Sequence, residues 1–376
     1  MLAQRGIAVL IALLMAAACG PSASAPTAQP SGSPQSAVAP AQPVQDPALQ
    51  ALVDAARQEG ALNVIYPLES TSDTVSRWTE GFNRLYGLNL DVRFTPGPPM
   101  PELAARVAQE AQAGRTASTD VFIGAESHIN TLANAGALEP VDWASWAPNV
   151  RDPRLIAPGG VAVQLGTRTP GIAYNTNRIS GDLVPATMQD LLKPQLRGQI
   201  ASTPYAAGFS VLGSPEIWGE ARTIDYVTKL ADQVGGLIRC NEMDRLLNGE
   251  FDMLALDCGA EFRASPGKEA LIGHVIPSDA AVLSYWYTAV PSHAAHPNAA
   301  KLWINYVMGR EGQDILYQGA HADHHLVPGS HVAPDIEALQ ARGVKFTETD
   351  VAFYQRTDLQ MLNRLGADLQ RIVQKQ

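Results

Sequence analysis

Polar side chains that can bind a small molecule follow several short apolar runs of the chain. One acid and two hydroxyl residues follow the run that ends at Tyr66, and an acid and a serine follow the run that ends at Ile123. In open α/β sheets, ligands bind beyond the carboxyl ends of the strands. The residues that we predict to bind a ligand on this basis are Glu69, Ser70, Thr71, Glu126, Ser127, Tyr205, Arg239, Asn241, Asp257, Tyr285 and Tyr287.

Some of these residues have a structural alternative. Ser70 and Ser127 stand where helices begin, and a serine at that position commonly caps the first turn. Tyr285 and Tyr287 flank Trp286 on an apolar run, where side chains alternate between the two faces of a strand. At least one of the three aromatic side chains therefore points away from the side of Trp286, and core packing is the alternative to ligand contact.

The charges near these strand ends leave the sign of the ligand open. The acidic residues that could bind a cation are Glu69, Glu126, Asp257 and Glu261. The basic residues that could bind a carboxylate or a phosphonate are Arg168, Arg239 and Arg263. The net charge of −10 does not decide between them, because a few nearby groups set the field inside a cleft.

A cluster of imidazoles and one carboxylate lies near the C-terminal end of the chain. It consists of His321, Asp323, His324 and His325, and both kinds of side chain suit zinc and other transition metals. The cluster has no second, spaced set of ligands and precedes the irregular run 326–329 (LVPG). We therefore expect a solvated loop, with these residues only as weak metal candidates, and we predict no metal and no cofactor.

The N-terminus has the pattern of an exported protein. Arg5 precedes a short apolar stretch at 7–15, and the alanines at 16–18 lead directly into Cys19. The stretch is shorter than the ~20 residues that span a bilayer, and leaders of this composition are removed on export. The pattern resembles a bacterial lipobox, which implies that residues 1–18 are a cleaved lipoprotein signal peptide and that Cys19 is lipidated. An ordinary cleaved leader is the alternative.

The composition separates a tether from a folded region. Residues 19–46 are rich in Pro, Ala and Ser and cannot offset their own ordering entropy, so we predict a disordered tether. The 376-residue chain as a whole is 46% hydrophobic, which is enough for about two domains with buried cores. Its acidic net charge argues against a nucleic-acid partner.

After the tether, short apolar runs alternate with amphipathic segments. The predicted strands are 62–66, 90–94, 120–123, 161–165, 171–175, 198–202, 237–240, 251–258 and 282–290. The predicted helices include 72–86, 101–112, 127–134, 222–234 and 243–247, and the chain from Pro297 onward is mainly helical. This alternation predicts an α/β fold with crossover connections and mostly parallel sheets.

Five blocks of sequence carry a resemblance to a known family, and they occur in the family's order. They are 52–60 (LVDAARQEG), 171–176 (GIAYNT), 185–198 (PATMQDLLKPQLRG), 248–252 (NGEFD) and 296–302 (HPNAAKL). Together they resemble bacterial extracellular solute-binding proteins, in the branch that includes ferric-, thiamine- and polyamine-binding receptors of ATP-driven importers.

The resemblance implies a two-lobe, type II periplasmic-binding-protein fold, in which each lobe is a mostly parallel sheet flanked by helices. Lobe 1 is expected at 47–177 and 279–376, and lobe 2 at 178–278, with a two-segment hinge near 174–175 and 278–283. The implied function is that of a substrate-binding lipoprotein of an ABC-type importer. It would be a monomer that captures a small solute or metal chelate in the interlobe cleft and delivers it to a membrane permease. It would be lipid-anchored at the outer face of the cytoplasmic membrane or in the periplasm.

Three alternatives stay open: a metal receptor of the same fold, a secreted hydrolase, and a structural or interaction lipoprotein that has kept the fold but lost ligand binding. Ferric-binding relatives have adjacent tyrosines where this chain has Gly259 and Ala260. Without that tyrosinate pair, the first alternative is a receptor that binds ferric iron or another metal in a different way. A remote alternative is a secreted hydrolase that uses the histidine cluster with a metal. The sequence contains no HExxH, GxSxG or P-loop motif, so we predict that the chain is not an enzyme.

Cys240 and Cys258 are the two thiols that remain once Cys19 is lipidated. Each ends a predicted strand of lobe 2, and only one short helix separates those strands. Export places both thiols in an oxidising compartment, and neighbouring parallel strands bring their ends within disulfide range. We therefore predict a disulfide; the alternative is a pair of buried, reduced cysteines.

Overall fold

Apolar runs rich in Val, Ile and Leu form the strands, and the amphipathic segments between them form the helices. The computed structural model describes residues 46–66, 72–206, 208–263 and 271–374. Its strands are β1 (Ala61–Tyr66), β2 (Asp91–Pro96), β3 (Phe122–Ala125), β4 (Val163–Arg168), β5 (Ile172–Asn175), β6 (Ile200–Ser202), β7 (Val234–Leu237), β8 (Met253–Leu254), β9 (Ile272–Val275), β10 (Val282–Ala289) and β11 (Thr347–Glu348). Its α-helices are α1 (Pro47–Glu59), α2 (Ser72–Tyr86), α3 (Met100–Gln112), α4 (Glu126–Asn134), α5 (Trp143–Trp146), α6 (Phe209–Leu212), α7 (Glu220–Ala231), α8 (Asp244–Leu247), α9 (Pro297–Val307), α10 (Arg310–Ala320), α11 (Ala333–Ala341), α12 (Val351–Arg356) and α13 (Leu359–Gln374).

Helix α1 illustrates how local sequence sets the element boundaries. The Asp46 carboxylate accepts a hydrogen bond from the Ala48 N–H (2.9 Å), and Pro47 occupies the first turn. Gly60 ends the helix with a φ of 74°, a left-handed conformation that glycine adopts without steric cost. The helix buries one face, which includes Val53.

Six strands form the sheets of one region, which we call lobe 1. Strands β1 and β2 pair in parallel, and an isolated bridge joins Val64 to Val121. Strand β10 pairs antiparallel with β3 and β4 and parallel with β11. The largest fully buried side chains of lobe 1 include Trp78, Phe82 and Trp303, so burial of aromatic surface stabilises this lobe.

The other five strands form one sheet in the order β7-β6-β8-β5-β9, which we call lobe 2. Strand β6 runs parallel to both β7 and β8, whereas β5 runs antiparallel to both β8 and β9. The sheets of both lobes are therefore mixed rather than mostly parallel. Each antiparallel pair contains β5 or β10, which directly follow the points where the chain passes between the lobes.

The boundaries between the lobes differ from those expected from the sequence. The 47–177 assignment put β5 in lobe 1, but its hydrogen bonds to β8 and β9 place it in lobe 2. The first crossing is therefore at 169–171, before β5, and the second is at 276–281, between β9 and β10. The lobe to which a strand belongs is decided by the strands it hydrogen-bonds with. The partners of β5 are distant in sequence, so local pattern did not identify them.

The C-terminal helix also departs from the expected assignment of 279–376 to lobe 1. Helix α13 packs against α6 and α7 of lobe 2. Its buried residues Leu362, Leu365 and Leu369 belong to the same hydrophobic cluster as Phe209 and Tyr226. A third crossing, at 349–358, therefore leads from β11 to α13.

No helix within the described ranges combines the length and the apolar character that crossing a membrane requires.

Candidate functional site

The carboxyl ends of β3 and β4 and the beginning of β10 lie at the edge of lobe 1 that faces lobe 2. Strand β3 ends at Ala125, which lies opposite Trp286 of β10, and β4 ends at Arg168, which lies opposite Ser284. Directly opposed residues of an antiparallel pair point to the same face of the sheet. Arg168 and Ser284 therefore present their side chains side by side at this edge.

Glu126 is the first residue of α4 and follows β3 without a loop. Its carboxyl group is buried, accepts a hydrogen bond from the Tyr285 N–H, and has Oε2 3.4 Å from Nη2 of Arg168. Burial raises the pKa of Glu126, and the positive charge of Arg168 opposes that rise only in part. The carboxyl group is therefore harder to ionise than an exposed glutamate.

The guanidinium of Arg168 lies beside the ring of Trp286, with Cζ 5.7 Å from the ring centroid. Its side chain is 17% exposed. Nε of Arg168 and Oγ of Ser284 are both buried, and neither has a hydrogen-bond partner in the part of the chain that the structure describes. Buried donors without partners are uncommon in folded proteins, and each is expected to have a physical explanation.

His128 lies one turn into α4. Its Nδ1 accepts a hydrogen bond from the Ala125 N–H (3.2 Å), which requires an unprotonated Nδ1. Burial, together with the nearby positive charge of Arg168, lowers the pKa of His128 to about 4. The imidazole is therefore neutral at neutral pH.

Lobe 2 contributes Asp257, which follows β8. Its Oδ1 accepts hydrogen bonds from the Gly171 N–H (3.1 Å) and the Gly259 N–H (2.9 Å). Its Oδ2 lies 3.3 Å from Nε2 of His274. Asp257 therefore ties the first crossing to the loop that follows β8.

The structure contains the predicted disulfide between Cys240 and Cys258, whose Cα atoms are 5.8 Å apart. The reasoning from neighbouring strands was wrong, because β6 lies between β7 and β8. Both cysteines instead lie on loops beyond the strand ends, where the chain can converge. The Tyr205 hydroxyl accepts a hydrogen bond from the Cys240 N–H (3.1 Å), so Tyr205 also holds this part of lobe 2.

A cavity of about 190 Å³ lies between these groups, and we call it the cleft cavity. Lobe 1, lobe 2 and the crossings all contribute to its wall. The lining residues are Ala125, Glu126, Ser127, Arg168, Pro170, Gly208, Ser210, Val211, Leu212, Leu256, Asp257, Cys258, Val282, Ser284, Thr349 and Tyr354.

The cleft cavity brings together three of the residues that the sequence predicts to bind a ligand: Glu126, Ser127 and Asp257. Glu69, Ser70, Thr71 and Cys19 lie outside the described residues. Tyr205 is 45% exposed and does not line the cavity, and Arg239 and Asn241 are exposed elsewhere on lobe 2.

Tyr285 and Tyr287 do not line the cleft cavity either. Both are buried in the lobe 1 core, where the Tyr285 hydroxyl donates to Glu348 (2.9 Å) and the Tyr287 hydroxyl accepts from Nε2 of Gln164 (3.1 Å). Strand alternation explains this, because β10 turns these side chains away from the face of Trp286.

The sequence analysis did not identify Ser284, Thr349 or Tyr354. Ser284 lies two residues before Trp286, so both side chains point to the same face of β10. This alternation was the feature of the sequence that could have identified Ser284. Thr349 and Tyr354 lie on the third crossing, for which no sequence pattern was recognised. Burial raises the pKa of the Tyr354 hydroxyl above its ordinary value, which disfavours the tyrosinate form.

The histidine cluster is not a solvated loop. Asp323 and His324 are buried, and the Asp323 carboxylate accepts hydrogen bonds from the Ser330 hydroxyl and the His331 N–H, both at 2.6 Å. His324 Nε2 lies 2.8 Å from Oε1 of Gln164, and burial lowers its pKa well below the ordinary value.

The other two members of the cluster are also accounted for by the fold. His325 Nδ1 lies 2.8 Å from the Thr167 hydroxyl, and His321 ends α10 with a φ of 55°. Within the described residues, no three His, Cys, Asp or Glu side chains are grouped as metal ligands. These contacts instead hold the loop after α10 against β4.

Several known proteins are similar to this chain. The "Fe(3+)-binding periplasmic protein" of Serratia marcescens is 24% identical over 306 residues, which cover 76% of this chain and 88% of that protein. The crystal structure of a substrate-binding protein of an ABC transporter from Agrobacterium tumefaciens superposes with a TM-score of 0.67 at 18% identity, covering 84% of this chain and 95% of that one. The periplasmic binding protein AfuA of Actinobacillus pleuropneumoniae, with fructose-6-phosphate bound, gives a TM-score of 0.64 at 18% identity, covering 84% and 99%.

At 18% identity, the two solved structures show that this chain shares their fold, and they do not indicate its ligand. The family comparison is more direct, because it matches sequence across both lobes. The model of the family described as bacterial extracellular solute-binding protein matches residues 77–345. The chain therefore belongs to the family of bacterial extracellular solute-binding proteins.

Proposed function

We propose that this chain is the solute receptor of an ABC-type importer, which binds one small solute in the cleft cavity and delivers it to a membrane permease. Its family supports this proposal, as does the fold it shares with an ABC transporter's substrate-binding protein. The observation that carries the proposal is the cleft cavity, whose wall comes from both lobes. A ligand in it would contact both lobes at once.

The crossings provide the means by which such a receptor would open and close. Pro170 lies on the first crossing, Val282 directly follows the second, and Thr349 begins the third, and all three line the cleft cavity. Rotation about the crossings would change the cavity, and a ligand that contacts both lobes would favour the closed arrangement. We propose that the receptor acts as a monomer.

The N-terminal segment would hold this receptor at a membrane. In this proposal residues 1–18 are removed, Cys19 carries two acyl chains, and residues 19–46 form the tether. A single acyl chain binds a bilayer only marginally, whereas two anchor stably. The receptor would then work at the outer face of the cytoplasmic membrane or in the periplasm.

We propose binding without turnover, as is usual for a transport receptor. The similarity to an Fe(3+)-binding protein makes iron one candidate cargo. Gly259 and Ala260 occupy the positions of the tyrosine pair, and burial disfavours ionisation of Tyr354 at the cavity wall. Hard anionic oxygens are what a trivalent cation requires, so we favour an organic solute over bare ferric iron.

A solute-library screen tests this function. The full chain, purified in non-ionic detergent, is heated with each solute, and its unfolding temperature is recorded. The solutes that stabilise it are then analysed for chemical change after prolonged incubation. We expect at least one small solute to raise the unfolding temperature in a saturable way and to be recovered unchanged.

Conversion of a stabilising solute to a product would favour the hydrolase alternative. Stabilisation by ferric iron alone, without any organic solute, would favour an iron receptor. A library in which nothing stabilises the protein would contradict the proposed function.

A further inference from the structure

Two buried polar groups on the lobe 1 side of the cleft cavity can donate hydrogen bonds and have no acceptor in the described part of the chain. Nε of Arg168 can only donate a hydrogen bond, and the Ser284 hydroxyl can do so. Both atoms are buried, and neither has a partner in the described part of the chain. Ser284 is 7% exposed. A buried donor without an acceptor destabilises the folded protein, and a ligand acceptor would remove that penalty.

The residues that carry these donors lie next to each other at one point of the cavity wall. Arg168 and Ser284 lie opposite each other on β4 and β10, which places their Cβ atoms roughly 4.5–5.5 Å apart. Helix α4 begins beside them, and its first residues, Glu126 and Ser127, line the same cavity. The N-cap residue of this nine-residue helix is Ala125, whose side chain has no oxygen to neutralise the positive end of the helix dipole.

The charges around this point also leave Arg168 with incomplete compensation. Its closest acid is Glu126, at 3.4 Å, and burial raises the pKa of that carboxyl group. Burial likewise raises the pKa of Glu261. Asp257 lies on the lobe 2 side, where its Oδ1 accepts two backbone N–H groups. Its Oδ2 faces Nε2 of His274 at 3.3 Å and has no hydrogen-bond partner in the described part of the chain. His128 is neutral and adds no charge.

The opposite wall of the cavity is different in character. Lobe 2 and the crossings contribute five apolar side chains there, Pro170, Val211, Leu212, Leu256 and Val282, beside the polar side chains of Ser210, Asp257, Thr349 and Tyr354. At about 190 Å³ the cavity is smaller than the ~300–1,000 Å³ pockets that hold drug-sized ligands. The volume and the lining of the cavity therefore suit a small solute that has a polar end and an apolar part.

We propose that the solute carries an oxyanion, either a carboxylate or a phosphate or phosphonate group, which binds Arg168, Ser284 and the N-terminus of α4, while its apolar part contacts lobe 2. This inference rests on the proposed receptor function and names the chemistry of its ligand. The oxyanion supplies the acceptors that Arg168 Nε and the Ser284 hydroxyl lack. Hydrogen bonds of this charged kind are stronger than neutral ones.

Titration with small oxyanions tests the inference. The full chain in non-ionic detergent is titrated at low ionic strength with inorganic phosphate, methylphosphonate and propionate, and with spermidine as a cation. Calorimetry and the unfolding temperature report binding. We expect saturable binding of at least one oxyanion, and comparison of propionate with the two phosphorus oxyanions distinguishes the two ligand types.

Substitutions then assign the site. Arg168→Gln removes the charge and should weaken binding of that oxyanion by about 10- to 100-fold, the range expected for a hydrogen bond to a charged group. Ser284→Ala should weaken it by a smaller factor. Arg364→Gln makes the same change on an exposed side chain and should bind like the original protein.

Arg168→Gln leaves Glu126 without its charged neighbour and could lower stability. The double variant Glu126→Gln and Arg168→Gln removes both charges, so it keeps the test valid if the single variant unfolds. The inference is overturned if no oxyanion binds the original protein, or if a folded variant without Arg168 binds it as tightly. Binding of spermidine alone would overturn this inference and leave the receptor function standing.

Discussion

Cys240 and Cys258 join two loops that begin on strands which are not neighbours. The bond closes a loop of 18 residues in sequence separation, and Cys258 lies in the wall of the cleft cavity. In the chain-entropy model, a loop of this size contributes roughly 3 kcal/mol, because the cross-link restricts the unfolded chain. The disulfide therefore stabilises the lobe 2 wall as well as the fold.

The first prediction concerns this bond. Cys240→Ser should lower the free energy of unfolding by roughly 3 kcal/mol, measured by urea denaturation. Reductant should destabilise the original protein by a similar amount and leave the variant unchanged. Quantitative alkylation of both thiols in denatured, unreduced protein from the native compartment would show that the bond does not form there.

A second property of single residues is the burial of neutral imidazoles. Burial lowers the pKa of His325 to about 4, from an ordinary value of 6.5. Between these pH values the unfolded chain binds a proton that the folded chain does not. Stability contributed by this group is therefore present above pH 6.5 and is lost as the pH falls toward 4.

The second prediction follows from this loss of stability as the pH falls. His325→Asn should reduce the loss of unfolding free energy between pH 6.5 and 4, by up to about 1.4 kcal/mol per pH unit for one proton. His293→Asn is the matched control, since His293 is exposed and its positive φ of 64° suits asparagine. Parallel pH profiles of the two variants would contradict the prediction.

The site could be predicted in part. Glu126, Ser127 and Asp257 were identifiable because each closely follows a strand, and the cleft edge lies at strand ends. Tyr285 and Tyr287 were assigned to the ligand from their side-chain chemistry, but the pleat of β10 turns them into the core. Both faces of β10 are buried, and which of them meets the cleft cavity depends on the elements packed around it, so Ser284 was not identified.

At the scale of elements, the hydrophobic pattern is local and its predictions were close. Most strands and helices from α1 to β10 follow that pattern, with shifts such as β8 at Met253–Leu254 instead of 251–258. Strand β9 and the short helices α5 and α6 were not predicted. Strand pairing is not local, which is why β5 was assigned to the wrong lobe and β6 was not expected between β7 and β8. The amphipathic face of α13 could be recognised in the sequence, but the helices that it packs against, α6 and α7, could not.

The third prediction tests where α13 packs. Leu365 is fully buried against lobe 2, so Leu365→Ala should lower the free energy of unfolding by about 2–5 kcal/mol. Leu85→Ala makes the same substitution at a side chain that is 46% exposed. It should change the free energy of unfolding by less than about 0.5 kcal/mol. Equal urea midpoints for the two variants would contradict the packing of α13 on lobe 2.

At the scale of the whole molecule, the proposal joins an anchored N-terminus to a two-lobe receptor. The tether would let the receptor reorient near the membrane while the lipid keeps it close to the permease. The family requires only a solute-binding chain outside the cytoplasm, so the anchor is an independent claim. It rests on Cys19 and the leader that precedes it.

The fourth prediction tests the anchor. Cys19→Ala should move the protein from the membrane fraction to the soluble fraction of the producing cells, because acylation requires the thiol. Fractionation followed by immunoblotting measures the distribution, and Ser24→Ala controls for a substitution in the same segment that leaves Cys19 in place. A Cys19→Ala protein that still sediments with membranes after a high-salt wash would contradict lipid anchoring.

The central claim is that a solute binds between two lobes which close on it. Small-angle scattering of the full chain, with and without a saturating amount of the solute that stabilises it most, tests this claim most directly. The account predicts a smaller radius of gyration with the solute bound, because the lobes rotate together about the crossings. An unchanged scattering profile at saturation would contradict it.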